Sequence, residues 1–160
     1  MVNFKKLKQQ KGFTLLEILL VVAVIAILAG IVIIAINPNK QLGDSRNAQR
    51  SSDVTTILNA VYQYSLDNNG SIPAGIIATT KEMCKTTVAP ATCTTGSLID
   101  LSTTITVGGK YLGALPIDPQ CPLNCAADGN GYEILKDATT GRITVSAPSA
   151  EQGKTISVTL

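Results

Sequence analysis

A long uncharged run near the N-terminus constrains this chain more than any other feature. No acidic or basic residue occurs from Ile18 to Ile36, and Glu17 is the single carboxylate inside the apolar stretch that begins at Phe13. The 24 residues from Phe13 to Ile36 reach ~36 Å as a helix, enough to cross a ~30 Å hydrocarbon core. A charge at the bilayer centre costs roughly 2.5–3.5 kcal/mol, so Glu17 is a candidate functional residue.

The residues before this run are basic and predict its orientation. Four lysines and no acid lie upstream of Gly12. Because positive residues stay on the cytoplasmic side, the N-terminus is expected in the cytoplasm and the rest of the chain outside. A secretory signal peptide fits poorly, since its apolar region has only ~7–15 residues and ends at a small-residue cleavage site. A plain single-span anchor fits the length but leaves Glu17 unexplained.

The composition of the remaining chain argues against several functional classes. Phe13–Leu160 carries 9 basic and 11 acidic residues, so the basic footprint of a nucleic-acid-binding domain is absent. The sequence contains no His, which removes Ser-His-Asp and Cys-His catalysis and His-ligated metal sites. It also offers no phosphate-binding loop, nucleophile motif or close pair of acids. We therefore predict a protein that is not an enzyme and that needs no cofactor.

A second helical segment follows the apolar run. Asn37-Pro38 interrupts the run with a residue that caps helices and one that suits a first helical turn. Asn69-Gly70 marks an end, so a helix is predicted over about residues 38–68. Apolar residues at helical spacing, which would face a core, occur only in its second half: Val54, Ile57, Leu58, Val61 and Tyr62.

The last third of the chain predicts a small antiparallel sheet. Three segments bounded by turn residues are predicted as strands, namely Tyr132–Lys136, Arg142–Ala147 and Thr155–Leu160. Residues 74–110 have weak periodicity, with a short helix predicted at Leu98–Leu101. A sheet of about three or four strands can pack on the amphipathic half of the long helix. The predicted fold class is therefore α+β.

A known processing signal matches the junction between the basic leader and the apolar run. The sequence there reads Lys11-Gly12-Phe13-Thr14-Leu15-Leu16-Glu17 and closely resembles the class III signal of type IV pilins and type II secretion pseudopilins. The resemblance implies a pilin-like fold, cleavage by a prepilin peptidase between Gly12 and Phe13, and methylation of Phe13. Glu17 then occupies the position of the family's characteristic Glu. There it can neutralise the new N-terminal ammonium of a neighbouring subunit, since the two charges together are far less costly in hydrocarbon than either alone.

The resemblance implies a structural function. The subunit would polymerise through its N-terminal helix into an extracellular filament, a type IV pilus or fimbrium, at the cell surface. Its partners would be other copies of itself, a prepilin peptidase/methylase, and an assembly platform with its ATPase. Before assembly it would span the inner, cytoplasmic membrane once. Two alternatives stay open: a pseudopilin of a type II secretion or competence DNA-uptake system, and a membrane-anchored binding protein that does not polymerise.

This reading divides the chain into four segments. They are a leader at residues 1–12, a transmembrane and filament-core helix at 13–36, an amphipathic continuation at 37–70 and a globular region at 71–160. Two interpretations of the polar stretch with Arg46, Arg50 and Asp53 remain. It is either a solvated helix face with local ion pairs or a surface that contacts neighbouring subunits.

The cysteines and two acids complete the candidate sites. Export to an oxidising compartment favours disulfides among the four cysteines, for which three connectivities exist. We favour Cys84–Cys93 and Cys121–Cys125 because each pair closes a short loop; a four-Cys zinc site is the alternative, with poorly matching spacing. No metal site is predicted. Asp118, in a Leu-Pro-x-Asp-Pro turn like that of many pseudopilins, and Asp128 are calcium candidates only because related pseudopilins bind calcium near this region.

Overall fold

The computed structural model describes residues 12–89, 92–93 and 98–160. The chain divides into two compact units, Met1–Gln41 and Leu42–Leu160. All of the expected leader except Gly12 lies outside the described residues.

The first helix, α1, spans Leu15–Ile36. Its N-cap is Thr14, whose side chain accepts a hydrogen bond from the Glu17 amide at 3.2 Å. It ends at Asn37, which adopts the left-handed conformation (φ 45°) that Asn tolerates better than most residues. The Oδ1 atom of Asn37 then accepts from the Lys40 amide at 3.3 Å. The predicted interruption at Asn37-Pro38 is thus confirmed, and one residue both ends α1 and caps the next helix.

The second helix, α2, spans Pro38–Asp67, which confirms the predicted helix. Asn69 and Gly70 follow with positive φ values of 54° and 85°, so the chain turns where the sequence predicts. The hydrophobic core takes only residues from the second half of α2, which confirms the prediction. The buried residues of the helix nevertheless extend back through its polar half: Gly43, Asn47, Arg50, Val54, Ile57, Leu58, Ala60 and Val61.

Four antiparallel strands form one sheet in the order β1-β2-β3-β4. Their bounds are Lys81–Cys84, Gly129–Lys136, Ile143–Ala147 and Ile156–Thr159. The three predicted strands are confirmed, with β2 starting at Gly129 rather than Tyr132. Strand β1 was not located from the sequence.

The segment before β2 corrects one smaller prediction. Leu98–Leu101 is not helical, because Ile99 pairs with β1: its amide donates to the Glu82 carbonyl and its carbonyl accepts from the Cys84 amide, both at 2.9 Å. The short helix, α3, comes later, at Ser102–Ile105, and a 3₁₀ turn follows at Val107–Gly109.

The core lies between α2 and the sheet. Val54, Ile57 and Val61 of α2 are fully buried there. The core also contains buried residues of β1, β2, β3 and the segment of α3: Met83, Leu101, Ile105, Tyr132, Ile134 and Val145. Such burial stabilises by about 25 cal/mol per Å² of apolar surface, which explains why the apolar stripe of α2 packs here. The α+β, pilin-like fold class is confirmed.

Candidate functional site

The expected cleavage position lies just before α1. Phe13 precedes the N-cap Thr14 and is 78% exposed, so the bond between Gly12 and Phe13 is outside the helix. Among the described residues, and apart from Gly12 and its two chain neighbours, no heavy atom lies within 4 Å of the place where a Cβ on Gly12 would stand. A peptidase needs an accessible segment that is free of helical hydrogen bonds, and this position offers one.

Glu17 lies in the first turn of α1. Its amide is held by both the carbonyl of Thr14, at 3.1 Å, and the Thr14 hydroxyl. A carboxylate in the first turn is favoured by the helix dipole. Its side chain is exposed, as is every residue of α1, so it is accessible to a charge brought by another molecule.

No residue of helix α1 is buried within the described part of the chain. It has 22 residues, and its most apolar 18-residue stretch has a mean hydropathy of 3.4, long and apolar enough to cross a membrane. A helix that is apolar all round is stable only when lipid or protein covers it. The covering partner of α1 is therefore expected outside this chain.

The polar half of α2 differs from α1, because one of its charged residues, Arg50, is fully buried inside the second unit. Arg50 is 0% exposed, and its Nε and Nη2 atoms donate to the two carboxylate oxygens of Asp118 at 2.6 Å and 3.1 Å. The Asp118 side chain is equally buried. This bidentate geometry is the strong form of a charge-assisted hydrogen bond. The hydrogen bond to Asp118 is the main reason that the pKa of Arg50 is raised.

Every N–H of the Arg50 guanidinium has an acceptor. Besides Asp118, Nη2 donates to Gln120 Oε1 at 2.8 Å, and Nη1 donates to Asn47 Oδ1 and Glu151 Oε2, each at 3.1 Å. A buried charge is tolerated only when it is paired and fully hydrogen-bonded. Arg50 meets that condition through residues of α2, of the turn at Asp118 and of the β3–β4 loop.

Glu151 fixes the β3–β4 loop to α2. Its carboxylate accepts two hydrogen bonds of 2.6 Å from Arg46, and its backbone exchanges two of 3.0 Å with the Asn47 side chain. The hydrogen bonds from Arg46, with a smaller contribution from Arg50, lower the pKa of Glu151 to about 2. The carboxylate is thus ionised throughout the neutral range.

Asp53 also faces inward. It accepts a 2.6 Å hydrogen bond from the hydroxyl of Tyr132, a fully buried residue of β2. Burial and the adjacent Asp53 carboxylate raise the pKa of Tyr132, so the hydroxyl remains a donor. A solvated face is therefore wrong for Arg50, which is fully buried, whereas Arg46 and Asp53 are partly buried in these contacts. Contact of the polar stretch with neighbouring subunits stays a prediction. We call the set Arg46, Asn47, Arg50, Asp118, Gln120 and Glu151 the Arg50 cluster.

The Arg50 cluster gives Asp118 a structural role. Both of its oxygens accept from Arg50, and Oδ1 also accepts from the Gln120 amide at 2.8 Å. The carbonyl of Asp128 accepts from the Lys85 amide at 2.9 Å. Across the described ranges, no three His, Cys, Asp or Glu residues are grouped to hold a metal ion. Arg50 thus engages both carboxylate oxygens that Asp118 would offer to calcium, while calcium at Asp128 stays a prediction.

The cysteines form two disulfides, Cys84–Cys93 and Cys121–Cys125, with Cα atoms 5.9 Å and 5.6 Å apart. This is the pairing that the short spacings in the sequence favour. All four sulfur atoms are used, so this structure leaves no thiolate for the zinc alternative. Cys121–Cys125 closes a short loop beside Asp118 and Gln120.

Comparison with known proteins gives concordant results. A family model described as "Prokaryotic N-terminal methylation motif" matches residues 7–33. Over 140 residues, 86% of this chain, the sequence is 32% identical to the type II secretion system core protein G of Aeromonas hydrophila and covers 81% of it. The corresponding protein of Vibrio cholerae serotype O1 is 31% identical over 147 residues, 92% of this chain and 85% of that protein.

A shorter match, 41% identical over 61 residues, is found with the type II secretion system core protein G of Escherichia coli K12. It covers 38% of this chain and 41% of that protein. No solved structure matches the chain.

Proposed function

The chain belongs to the type IV pilin and pseudopilin family, and we propose that it is a pseudopilin of a type II secretion system. The observation that carries the proposal is the extent of the similarity to the core G proteins. The N-terminal motif is common to pilins and pseudopilins and cannot separate them. The matches to these proteins cover 86% and 92% of the chain, so they extend beyond the motif and through the globular unit. They favour the pseudopilin alternative over a subunit of a long surface pilus.

Processing is the first step of this function. A prepilin peptidase cuts between Gly12 and Phe13 on the cytoplasmic side and removes residues 1–12, and Phe13 is then methylated. The exposed position of Phe13 outside α1 supports this step. The match of the methylation-motif model to residues 7–33, which include both residues, supports it independently.

Assembly is the second step, and α1 carries it. In the inner membrane, lipid covers the exposed apolar surface of Leu15–Ile36. In the filament, the same surface packs against α1 of other copies, so the helix never remains in water. An assembly platform and its ATPase would supply the energy to extract the helix from lipid.

Glu17 sets the register between copies. After cleavage it lies in the first turn of α1, four residues from the new N-terminal ammonium of Phe13. Each charge alone is disfavoured in hydrocarbon, but the carboxylate of one copy and the ammonium of the next offset each other. Only the register that joins them avoids leaving both unpaired. The function is structural, and no catalytic group is assigned.

The test replaces the chromosomal gene with variants at position 17. We expect Glu17→Ala to be processed normally but to abolish filament formation and the export of the secreted enzymes. Glu17→Asp, which keeps the charge, should retain part of both. A membrane-anchored protein that does not polymerise would instead stay uncleaved and tolerate Glu17→Ala.

A gene deletion separates the two filament types. A pseudopilin is expected to lose export while long surface fibres remain. Loss of long fibres with unchanged export would contradict the proposal and favour a pilus subunit.

A further inference from the structure

Thr14 stands between the expected cleavage position and the first residue of α1. Its backbone is extended, with φ −76° and ψ 151°, and the helix begins at Leu15. The Glu17 amide donates to Thr14 Oγ1 at 3.2 Å, and the Ile18 amide donates to the Thr14 carbonyl, also at 3.2 Å. Thr14 therefore satisfies two amides of the first turn, one with its side chain and one with its backbone.

The sequence on both sides of Thr14 makes this cap important for where the helix begins. A Thr followed three residues later by a Glu, ahead of an apolar run, is the capping-box pattern of a helix N-terminus. The leader offers weaker resistance to a helix, because residues 7–11 are Leu, Lys and Gln, which are all good helix formers. Between them and Thr14, only Gly12 strongly disfavours helix.

The first residue of the helix decides whether the bond between Gly12 and Phe13 is free to react. Hydrolysis adds water across this bond: the oxygen joins the Gly12 carbonyl carbon, and the products are a carboxylate on Gly12 and an ammonium on Phe13. In a helix that ran through both residues, the Gly12 carbonyl would accept from the Leu16 amide. The Phe13 amide would in turn donate to the Gln9 carbonyl, so both ends of the reacting bond would be held.

Loss of the cap is expected to lengthen the helix into the leader rather than to shorten it. The first turn of α1 opens the apolar run, and an amide that faces hydrocarbon without an acceptor is costly. A helix that began later would leave amides without acceptors deeper in the apolar run. A helix that began earlier would supply carbonyls of the leader to the first turn, and its own free amides would lie beside water.

We propose that Thr14 is a positioning residue for the processing reaction: by capping α1, it keeps the Gly12–Phe13 bond in extended chain, where a peptidase can bind it. The inference rests on the proposed processing and adds a residue on which its rate depends. The Thr14 hydroxyl acts on the bond through the backbone, by fixing the start of the helix, and needs no contact with the peptidase. Side chains that cap helices should therefore replace Thr14, whereas one that only matches its shape should not.

Cleavage kinetics of the full-length chain in lipid nanodiscs, with the purified prepilin peptidase of its host, test the proposal. Thr14→Val keeps the shape of the side chain but removes the hydroxyl, and it should lower kcat/KM by about fivefold, the factor that a helix N-cap contributes. Thr14→Ser and Thr14→Asn, which retain a capping oxygen, should stay within about twofold of the wild type. Full activity of Thr14→Val together with poor cleavage of Thr14→Asn would show recognition of shape and overturn the proposal.

Carbon-13 NMR of the same chains without peptidase measures the conformation of the reacting bond directly. The backbone chemical shifts of Gly12 and Phe13 should be those of extended chain in the wild type, Thr14→Ser and Thr14→Asn, and should move towards helical values in Thr14→Val. Slow cleavage of Thr14→Val with Gly12 and Phe13 still extended would mean that the peptidase binds the hydroxyl itself, and the proposal would be wrong.

A Leu15→Pro background provides the matched control for the start of the helix. Proline suits the first helical position, but a helix extended into the leader would place it in the interior, where it is strongly disfavoured. In this background Thr14→Val should no longer slow cleavage, and an undiminished effect would contradict the proposal. If the wild type is cut after Gly12 and Thr14→Val is cut equally fast, only the role of Thr14 fails. If the wild type is not cut there, the proposed processing fails as well.

Discussion

Helix α1 and the first half of α2 follow each other in sequence and reverse the usual relation between polarity and exposure. The apolar residues of α1 are exposed throughout, whereas Asn47 and Arg50 of α2 are buried. The partners of Arg50 all belong to the same chain, while α1 has its surface available for lipid or other copies. Burial therefore identifies α1 as the helix whose surface is open to contacts outside the chain. Polarity alone would have suggested the opposite, namely that α1 is buried and the polar half of α2 is exposed.

Truncation of Arg50 is expected to cause the largest loss in the free energy of unfolding. Arg50→Ala leaves the Asp118 carboxylate buried without its counter-ion, and removing one partner of a buried pair costs about 3–5 kcal/mol. The measurement is denaturant unfolding of the detergent-solubilised chain, followed by near-UV circular dichroism. All four tyrosines lie in the second unit, so the signal reports that unit.

A truncation in α1 and a double variant serve as controls. Ile25→Ala removes exposed surface only and should leave this unfolding transition unchanged. Arg50→Met combined with Asp118→Leu should recover most of the lost stability, because apolar residues can replace a buried ion pair at little cost. If Arg50→Ala and Ile25→Ala lowered the free energy of unfolding equally, the buried contacts of α2 would not stabilise the second unit more than the exposed surface of α1 does.

Removal of the Tyr132 hydroxyl should cause the next largest loss in the free energy of unfolding. Tyr132→Phe removes the 2.6 Å hydrogen bond to Asp53 and keeps the ring that packs in the core. A hydrogen bond to a charged group contributes roughly 1.5–3 kcal/mol, so the free energy of unfolding should fall by that amount. Tyr62→Phe, at an exposed position on α2, is the matched control. If Tyr132→Phe lowered the free energy of unfolding no more than Tyr62→Phe does, the hydrogen bond to Asp53 would not stabilise the fold.

Low pH should weaken the contacts of the Arg50 cluster, because it protonates the Glu151 carboxylate that accepts from Arg46 and Arg50. Its pKa is lowered from 4.5 to about 2, so the folded state binds its proton less readily than the unfolded chain. The corresponding stabilisation is complete above pH 4.5 and is lost as the pH falls towards 2. Unfolding measured across that window should therefore show a shallower pH dependence in Glu151→Gln than in the wild type. Parallel curves would show that Arg46 and Arg50 do not hold this carboxylate in solution.

The smallest change in stability is expected at an exposed ion pair between α2 and the β3–β4 loop. Lys154 donates to Asp44 at 2.7 Å, but both side chains are well exposed. Lys154→Ala should change the free energy of unfolding by no more than about 1 kcal/mol, and salt should remove even that. A loss comparable to that of Arg50→Ala would show that burial does not decide which polar contacts of α2 matter.

Local patterns explain what the sequence could predict. The limits of α1 and α2 follow from Thr14, Asn37-Pro38 and Asn69-Gly70, whose capping and turn chemistry acts within a few residues. Three strands follow from alternation between turn residues. Strand β1 at Lys81–Cys84 has only four residues and lies in a segment with weak periodicity, so its pairing depends on β2 rather than on its own pattern.

The Arg50 cluster could not be predicted because its partners are distant in sequence. Asp118 lies 68 residues after Arg50, and the turn that contains it looks ordinary by itself. One signal was available: Asn47 and Arg50 continue the i, i+3, i+4 spacing of Val54 and Ile57 towards the N-terminus. A polar residue on the core-facing stripe of a helix indicates a buried partner, even when the surrounding sequence is hydrophilic.

We propose that α1 is released from its leader and finds its partners in other copies of the chain. N-terminal mass spectrometry of the subunit from purified filaments tests this most directly. We predict that the filament subunit begins with N-methylated Phe13. Filaments built from a chain that still carries residues 1–12 would contradict the claim.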